Sequence, residues 1–322
     1  MTILWGLLIV AGIALIIWGA ETFAEHLGAA AVRLRVSAFA LALLLAGAEP
    51  EELATGVTAS LRGVPAIAVG DVIGANIAIC LVALGVGAWV APLPFGRRVM
   101  RYALFGLPIG ILASGFVWNG QVSRVEGIVL VGCYALYVGG IWWAERRPPS
   151  LGETGELEEA AEAFQNEQAS GLYSWVGQDL LLMAAGLGAI IIGSIVLVEA
   201  VRQISQVEAT QTKLALTLVG FATSVELVVL AWSTARRGAT EATVAAVVGS
   251  FTYNVTMTLG AAAVVNPLTI VDATLLHAPI LVMLASLALV MMLASVNGDL
   301  DRVAGGVLMA AYPLFVISLW LL

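Results

Sequence analysis

The sequence contains little charge and few of the side chains that build soluble active sites. Only 11% of its 322 residues are charged, whereas 61% are hydrophobic, and the mean hydropathy is +1.00. This composition excludes a soluble domain and indicates a polytopic membrane protein. Lys and Arg number 14 against 22 Asp and Glu. The chain therefore has no basic surface for nucleic acid, and we expect no nucleic-acid partner.

Cysteine and histidine are also scarce. Cys80 and Cys133 both lie in apolar segments, so we expect two buried thiols and no disulfide. His26 and His277 lie near predicted membrane interfaces, and we interpret both as structural. No Cys or His cluster favours zinc or copper. No Ser–His or paired-Asp arrangement lies in register at membrane depth, which argues against an intramembrane enzyme.

Ten apolar runs are long enough, or nearly so, to cross a bilayer core of about 30 Å. The first run begins almost at Met1 and lacks a basic leader and a small-residue cleavage site, so we predict a retained span. A polar link with Glu25, His26, Arg33 and Arg35 is predicted after it. The predicted spans are 3–20, 36–61, 64–91, 102–118, 124–143, 175–201, 212–235, 240–265, 274–295 and 303–322.

One polar segment divides the chain into two halves of five spans each. We predict a first repeat at 1–147, an acidic linker at 148–174 and a second repeat at 175–322. Six acidic residues lie between 151 and 170. We interpret this segment as a solvated linker with a short surface helix. A regulatory cation or partner site is the alternative, although no ordered calcium-loop spacing is present.

The chain is organised around a carboxylate-rich turn inside the second span. Residues 46–53 read AGAEPEEL and carry Glu49, Pro50, Glu51 and Glu52. An ionised carboxylate at the centre of a membrane helix costs roughly 2.5–3.5 kcal/mol on insertion scales. Proline also removes a backbone hydrogen bond. Such a break is tolerated where it is buried in protein or lines a watery cavity, so the segment marks a candidate site.

A second, matching stretch lies 175 residues further along the chain, and no gap is needed to align the two. Five pairs of positions fall into register: Glu51 with Glu226, Arg62 with Arg237, Gly74 with Gly249, Ala75 with Ser250, and Ile79 with Asn254. A glutamate in the broken helix of each half points to a transporter site at the bilayer midplane. The predicted fold is all-α: ten transmembrane helices that form two five-helix repeats with broken helices at the midplane.

Five spans per half is an odd number, so the second half is inserted upside down relative to the first. The basic residues of the loops set the orientation. One side collects Arg33, Arg35, Arg97, Arg98, Arg101, Arg146, Arg147, Arg236, Arg237 and Arg302, and the other collects Arg62, Arg124, Arg202 and Lys213. The first side is predicted to be cytoplasmic. We therefore expect an integral protein of the cell membrane with both termini outside and the acidic loop 150–173 in the cytoplasm.

Glu51 and Glu226 are the main candidate ion ligands, because an inverted repeat brings the two broken helices together. Two close carboxylates attract a cation strongly, and hard oxygen ligands suit Ca²⁺, Na⁺ or Mg²⁺. Further candidate ligands are the neutral oxygens of Thr223, Ser224, Ser250 and Asn254. Glu52 lies about 100° around the helix from Glu51, and Glu49 is predicted to share a helical face with Glu52. Both remain open as ligands.

Asp71 and Asn76 are predicted to line the ion pathway. We interpret Asp71 as a gate or as a support for the ligands. Asn76 has a second interpretation as a polar contact between packed helices. The transported cations and the lipid bilayer are the only partners that we predict. We expect no cofactor, and the sequence leaves the oligomeric state open.

The pattern resembles the cation/Ca²⁺ antiporter superfamily, which includes sodium/calcium and calcium/proton exchangers. Those proteins carry two inverted repeats, each with a G-T-S-x-P-E-type motif followed by a G-N-x-x-G-S-N-type motif. Here Pro50-Glu51 and Glu226 match the first motif, and residues 70–76 and 249–250 match the second. The resemblance covers nearly the whole chain. It implies a secondary antiporter that exchanges a divalent cation, Ca²⁺ above all, for Na⁺ or H⁺, with spans 1 and 6 sliding past the core.

Several positions depart from that pattern. The Thr-Ser pair is replaced by Gly47-Ala48 in the first repeat and by Ala222-Thr223 in the second, and Ile79 stands where an amide or carboxylate is expected. An alternative alignment places Glu52 at the motif glutamate. The missing oxygens tilt the coupling ion towards H⁺ and leave the substrate open. A cation channel or uniporter, and a sensor that has lost transport, remain alternatives on the same scaffold.

Overall fold

The computed structural model describes residues 2–33, 49–145, 176–238 and 240–321, and these are almost entirely helical. The first half contains α1 (Thr2–Arg33), α2 (Pro50–Leu61), α3 (Pro65–Ala78), a π-helical segment π1 (Ile79–Ala83), α4 (Leu84–Val90), β1 (Leu93–Pro94), α5 (Arg97–Val117), β2 (Gln121–Val122) and α6 (Arg124–Glu145).

The second half has the same plan. It contains α7 (Val176–Ile204), α8 (Glu208–Leu214), π2 (Ala215–Val219), α9 (Gly220–Thr223), α10 (Val225–Arg237), α11 (Thr240–Tyr253), π3 (Asn254–Thr258), α12 (Leu259–Val265), β3 (Leu268–Thr269), α13 (Thr274–Asn297), β4 (Asp299–Leu300) and α14 (Arg302–Leu321).

Nine helical stretches of the described chain are long and apolar enough to cross a membrane. They correspond to nine of the ten predicted spans. Of the remaining span, 36–61, the structure describes residues 49–61, and the linker 148–174 lies outside the described residues. The predicted polar link after the first span is wrong, because α1 continues to Arg33 and carries Glu25 and His26 on the helix.

The 175-residue repeat is confirmed in the backbone. Shifting α3 by 175 positions gives α11, and the same shift takes α4 to α12 and β1 to β3. It also takes π1 to π3, residue for residue. The sequence analysis did not predict these π-helical segments, which insert one extra residue per turn and occur often at functional sites.

Two small sheets join the halves at opposite ends of α5. Leu93 and Pro94 pair antiparallel with Leu300 and Asp299, and β2 pairs antiparallel with β3. Each sheet therefore takes one strand from each half, as two inverted copies require.

The first helices of the halves, α1 and α7, pack antiparallel and very closely. A Cβ added at Gly12 would lie 3.0 Å from the Gly193 carbonyl oxygen, and one at Gly19 would lie 2.7 Å from that of Gly186. Glycine at these positions lets the two backbones touch, as is common in membrane helix pairs. The α1–α7 pair lies against a core built mainly from α2–α4 and α9–α12.

Candidate ion-binding site

The first half of the candidate site is the beginning of α2. Pro50 is the first helical residue, a position where its missing N–H costs nothing. Glu51 and Glu52 occupy the first turn, where the positive end of the helix dipole favours acidic side chains. Glu49 precedes the helix, with φ −116° and ψ 87°. The prediction that Glu49 shares a helical face with Glu52 is therefore wrong.

The Glu52 carboxylate is almost completely enclosed. It is 1% exposed, and within the described ranges neither of its carboxylate oxygens has a hydrogen-bond partner. Asp71, Glu51 and Glu226 all lie within electrostatic range of it. The Asn254 side chain also lies beside it, outside hydrogen-bond geometry. Glu52 thus faces both repeats. The sequence alone did not decide whether Glu51 or Glu52 takes this position.

The second half of the site is a break between α9 and α10 at Ser224. The hydroxyl of Thr223 donates to Asp71 Oδ1 across the repeats at 3.0 Å. Ser224 Oγ instead donates back to the Gly220 and Phe221 carbonyls, at 2.8 and 3.1 Å. Its hydroxyl proton is therefore used locally, and its oxygen keeps a lone pair. Partly buried Glu226 follows in the first turn of α10.

Two asparagines connect the halves behind the carboxylates. Asn254 Nδ2 donates to Asn76 Oδ1 at 3.2 Å, and Asn76 Nδ2 donates to the Phe251 carbonyl at 3.2 Å. Both side chains are fully buried. Asn254 is also the first residue of π3, so the irregular turn and the amide contact occur at the same place. Asn76 is a structural bridge that fixes the direction of Asn254.

A second polar contact lies on the other side of α2. Ser250 Oγ donates to Glu49 Oε1, and the Tyr134 and Tyr253 side chains lie within electrostatic range of Glu49. Glu49 is 3% exposed. Two of the predicted ligands, Glu49 and Ser250, therefore bind each other in this structure.

The structure brings all ten predicted site residues into the contact region of the two repeats. Among these ten residues, Glu52, Asp71 and Asn254 have buried side-chain oxygens without a hydrogen-bond partner in the described chain. Across the described ranges, no three acidic, His or Cys side chains are arranged to enclose a metal ion by themselves. An ion held here would need neutral oxygens as well as carboxylates. Gly47 and Ala48 lie outside the described residues.

Sequence reasoning missed Thr55. Its hydroxyl lies 3.0 Å from Ser194 Oγ on α7, and both side chains are fully buried. A hydroxyl on each helix is too common in membrane segments to be singled out without knowledge of which helices touch.

Comparison with known proteins places these features in a family. The profile described as "Sodium/calcium exchanger protein" matches residues 4–143 and 179–321, which include both carboxylate turns. The chain belongs to this family. It is therefore a membrane transporter and not an enzyme, and its fold consists of two inverted helical repeats. The family match omits only the chain ends and the segment around the acidic linker.

Individual relatives of the exchanger family are distant but extend over most of the chain. The chain is 24% identical over 346 residues to the sodium/calcium exchanger MaX1 of Methanosarcina acetivorans, with 98% of each covered. It is 24% identical over 264 residues to the inner membrane protein YrbG of Escherichia coli, with 81% and 79% covered. The solved sodium-calcium exchanger NCX_Mj superposes with a TM-score of 0.64 at 20% identity, with 99% of both chains covered. This last likeness supports the fold alone.

Proposed function

We propose that the protein is a secondary antiporter that exchanges Ca²⁺ for Na⁺ or H⁺ by alternating access. The main observation behind this proposal is the environment of the Glu52 carboxylate. Its two unpartnered, buried oxygens lie in the field of Asp71, Glu51 and Glu226. Buried carboxylates concentrated in this way are expensive without a cation. A divalent ion with oxygen ligands fits this charge better than a monovalent ion does.

The proposed ligands come from both repeats. Glu51, Glu52 and Glu226 supply charge, and Thr223, Ser224, Ser250 and Asn254 supply neutral oxygens. Glu49 orients Ser250, and Asp71 anchors Thr223 and lines the pathway with Asn76. Ser250 donates its hydroxyl proton to Glu49, so its oxygen keeps a lone pair for the ion.

The same charge explains obligatory exchange. An empty site with several ionised carboxylates is costly to carry through a low-dielectric barrier. A site neutralised by Ca²⁺, by Na⁺ or by protons is less costly, so only occupied states switch. We propose that the α1–α7 pair slides past the core during the switch, as the resemblance to the superfamily implies.

We further propose the arrangement in the membrane that the arginine distribution predicts. Residues 1–147 and 175–322 form the two repeats, and residues 148–174 form a cytoplasmic linker. Both termini then lie outside the cell membrane.

The proposal is tested by radioactive Ca²⁺ uptake into proteoliposomes under an outward Na⁺ gradient or an imposed pH gradient. We expect one gradient to drive uptake and Glu51→Gln and Glu226→Gln to abolish it. Uptake of equal rate without any gradient indicates a channel or uniporter and contradicts exchange. No Ca²⁺ uptake under either gradient contradicts Ca²⁺ as the substrate, and the assay is then repeated with Mg²⁺, Mn²⁺ and K⁺.

A further inference from the structure

An ion pair connects the core to α7 at one end of the molecule. Arg62, directly after α2, donates from Nη1 to Glu199 Oε2 at 3.1 Å. Arg202 lies 3.6 Å from the same oxygen, and Gln203 donates to Oε1 at 2.7 Å. Glu199 is thus held both by the first repeat and by its own helix.

The glycine contacts show which residues of α1 and α7 are equivalent under the internal symmetry. Gly12 touches Gly193, and Gly19 touches Gly186. Gly12 and Gly186 are 174 residues apart, as are Gly19 and Gly193. A shift of 174 therefore maps α1 onto α7 and converts one glycine contact into the other.

The same symmetry gives the ion pair a counterpart. The shift of 174 takes Glu25 to Glu199, and the shift of 175 found in the core takes Arg62 to Arg237. Both residue types are kept, so the symmetry-related pair Glu25–Arg237 has the charges needed for a second ion pair. The sequence analysis placed Glu25 in a loop and assigned it no role.

The two pairs are not used equally in this structure. Among the described residues, the exposed Glu25 side chain makes no ion pair with Arg237. The helix packing is asymmetric in the same direction. α7 packs along α2 over an extensive contact, whereas the symmetry-related pair α1 and α10 makes only a small contact. The structure is therefore an asymmetric state of a nearly symmetric molecule.

The pairs belong to opposite ends of the α1–α7 unit. The antiparallel contacts place Glu25 level with about residue 180 of α7, some 19 residues from Glu199. At about 1.5 Å per residue this is roughly 28 Å, close to the thickness of the hydrocarbon core. One pair lies near each membrane face.

We propose that Arg62–Glu199 and Arg237–Glu25 are alternating latches, each of which forms in one of the two access states and breaks in the other. This inference rests on the alternating access of the proposed function. Two inverted halves can reach a second state by exchanging the contacts that each makes, and the exchange moves the bond from one face to the other. All four residues act by positioning α1 and α7, not by touching the ion.

The buried contact between Thr55 and Ser194 distinguishes the two states. Its symmetry counterparts are Leu230 and Ala20, which cannot form a hydrogen bond. The present state therefore has one polar contact more than its alternative. An exposed ion pair adds only a small bias, so we expect breaking one latch to shift the ratio of states by about 2- to 5-fold.

The test is thiol cross-linking of the full-length protein in proteoliposomes, in a background with Cys80→Ala and Cys133→Ser. One double variant carries Arg62→Cys and Glu199→Cys, and the other carries Arg237→Cys and Glu25→Cys. A bifunctional thiol reagent that spans the two replaced side chains is used, and each single variant is the control. We expect both doubles to cross-link. In a protein with all four cysteines, we expect either link but never both in one molecule by mass spectrometry.

Molecules that carry both links would overturn the proposal. It would also be overturned if the Glu25→Cys/Arg237→Cys variant never cross-links while the four-cysteine protein still forms the link between positions 62 and 199. Introducing Arg62→Glu into the Glu25→Cys/Arg237→Cys protein reverses the charge at position 62, and we expect it to raise the yield of the 25–237 link about 2- to 5-fold. Adding Glu199→Arg restores opposite charges at positions 62 and 199 and is expected to lower that yield again. An unchanged yield in Arg62→Glu would also contradict the latch. Because cross-linking needs no knowledge of the ion, failed Ca²⁺ exchange with exclusive links would reject the substrate and keep the latches.

Discussion

Asp71 in the first repeat and Thr223 at the helix break of the second are joined by a hydrogen bond of 3.0 Å between two fully buried side chains. The bond uses one oxygen of Asp71 and leaves the other facing the site without a partner in the described chain. Thr223 thereby fixes the direction of a carboxylate that belongs to the opposite half.

Replacing Thr223 with Val tests this contact, because Val keeps the shape and removes the donor. Leaving a buried acceptor unpaired costs about 1–3 kcal/mol, so we expect a lower melting temperature of the detergent-solubilised protein and weaker Ca²⁺ binding. Ser295→Ala is the matched control, because its hydroxyl bonds only within its own helix and is exposed. If the Asp71→Asn and Thr223→Val effects add without coupling in a double-mutant cycle, the bond has no role.

Glu52→Gln is expected to reduce gradient-driven Ca²⁺ uptake at least as severely as Glu226→Gln, by roughly 100-fold or more, since about 3 kcal/mol of ion binding disappears with a buried charge. Glu126→Gln is the control. It lies outside the site and bonds to Ser123 in a helix cap that tolerates Gln. Normal Ca²⁺ uptake in Glu52→Gln would contradict this role and would make Glu51 the main ion ligand of the first repeat.

Gly193→Ala tests the α1–α7 contact. An added Cβ there would lie 2.8 Å from the Gly12 carbonyl oxygen, so the helices must separate. We expect a fall in stability of about 1–3 kcal/mol and slower exchange. Gly188→Ala on the same helix meets nothing within 4 Å and is expected to be neutral or slightly stabilising. Equal melting temperatures for the two variants would show that the close contact has no energetic weight.

The proposed orientation is tested by labelling single cysteines in intact cells. Ser150→Cys in the linker is expected to react only after the membrane is permeabilised, whereas Asn119→Cys, between α5 and α6, is expected to react from outside. The positive-inside distribution is the physical reason for this expectation. Labelling with the sides reversed would invert the proposed topology.

Hydrophobicity and the gap-free repeat were enough to predict the helical spans and the inverted halves, whereas the family was predicted from the resemblance of the motifs in each repeat. The end of α1 was predicted wrongly, because Glu25 and His26 have the composition of a loop. Helix continuation depends on local propensity, and the alanines at 29–31 favour it. Charged side chains at such a helix end extend towards water while the backbone remains helical.

The site itself was predicted by residue type but not by geometry. The repeat aligned Glu51 with Glu226, yet the position of Glu52 between the halves depends on how α2 is rotated against α3 and π3. The three π-helical segments leave no trace in composition, and each packs against helices of the other repeat. Ser250 was predicted as a free ligand, and only the structure places Glu49 within its reach.

The two small sheets have a consequence for how the protein is made. Strand β1 is complete when residue 94 has been synthesised, but its partner β4 is not synthesised until residue 300. Strand β2 ends at residue 122, and its partner β3 is not synthesised until residue 268. The first half therefore enters the membrane with two unpaired strand edges, which are sites of mispairing until they are covered. Correct assembly depends on the last helices to leave the ribosome, and truncation after α12 is expected to leave both edges open.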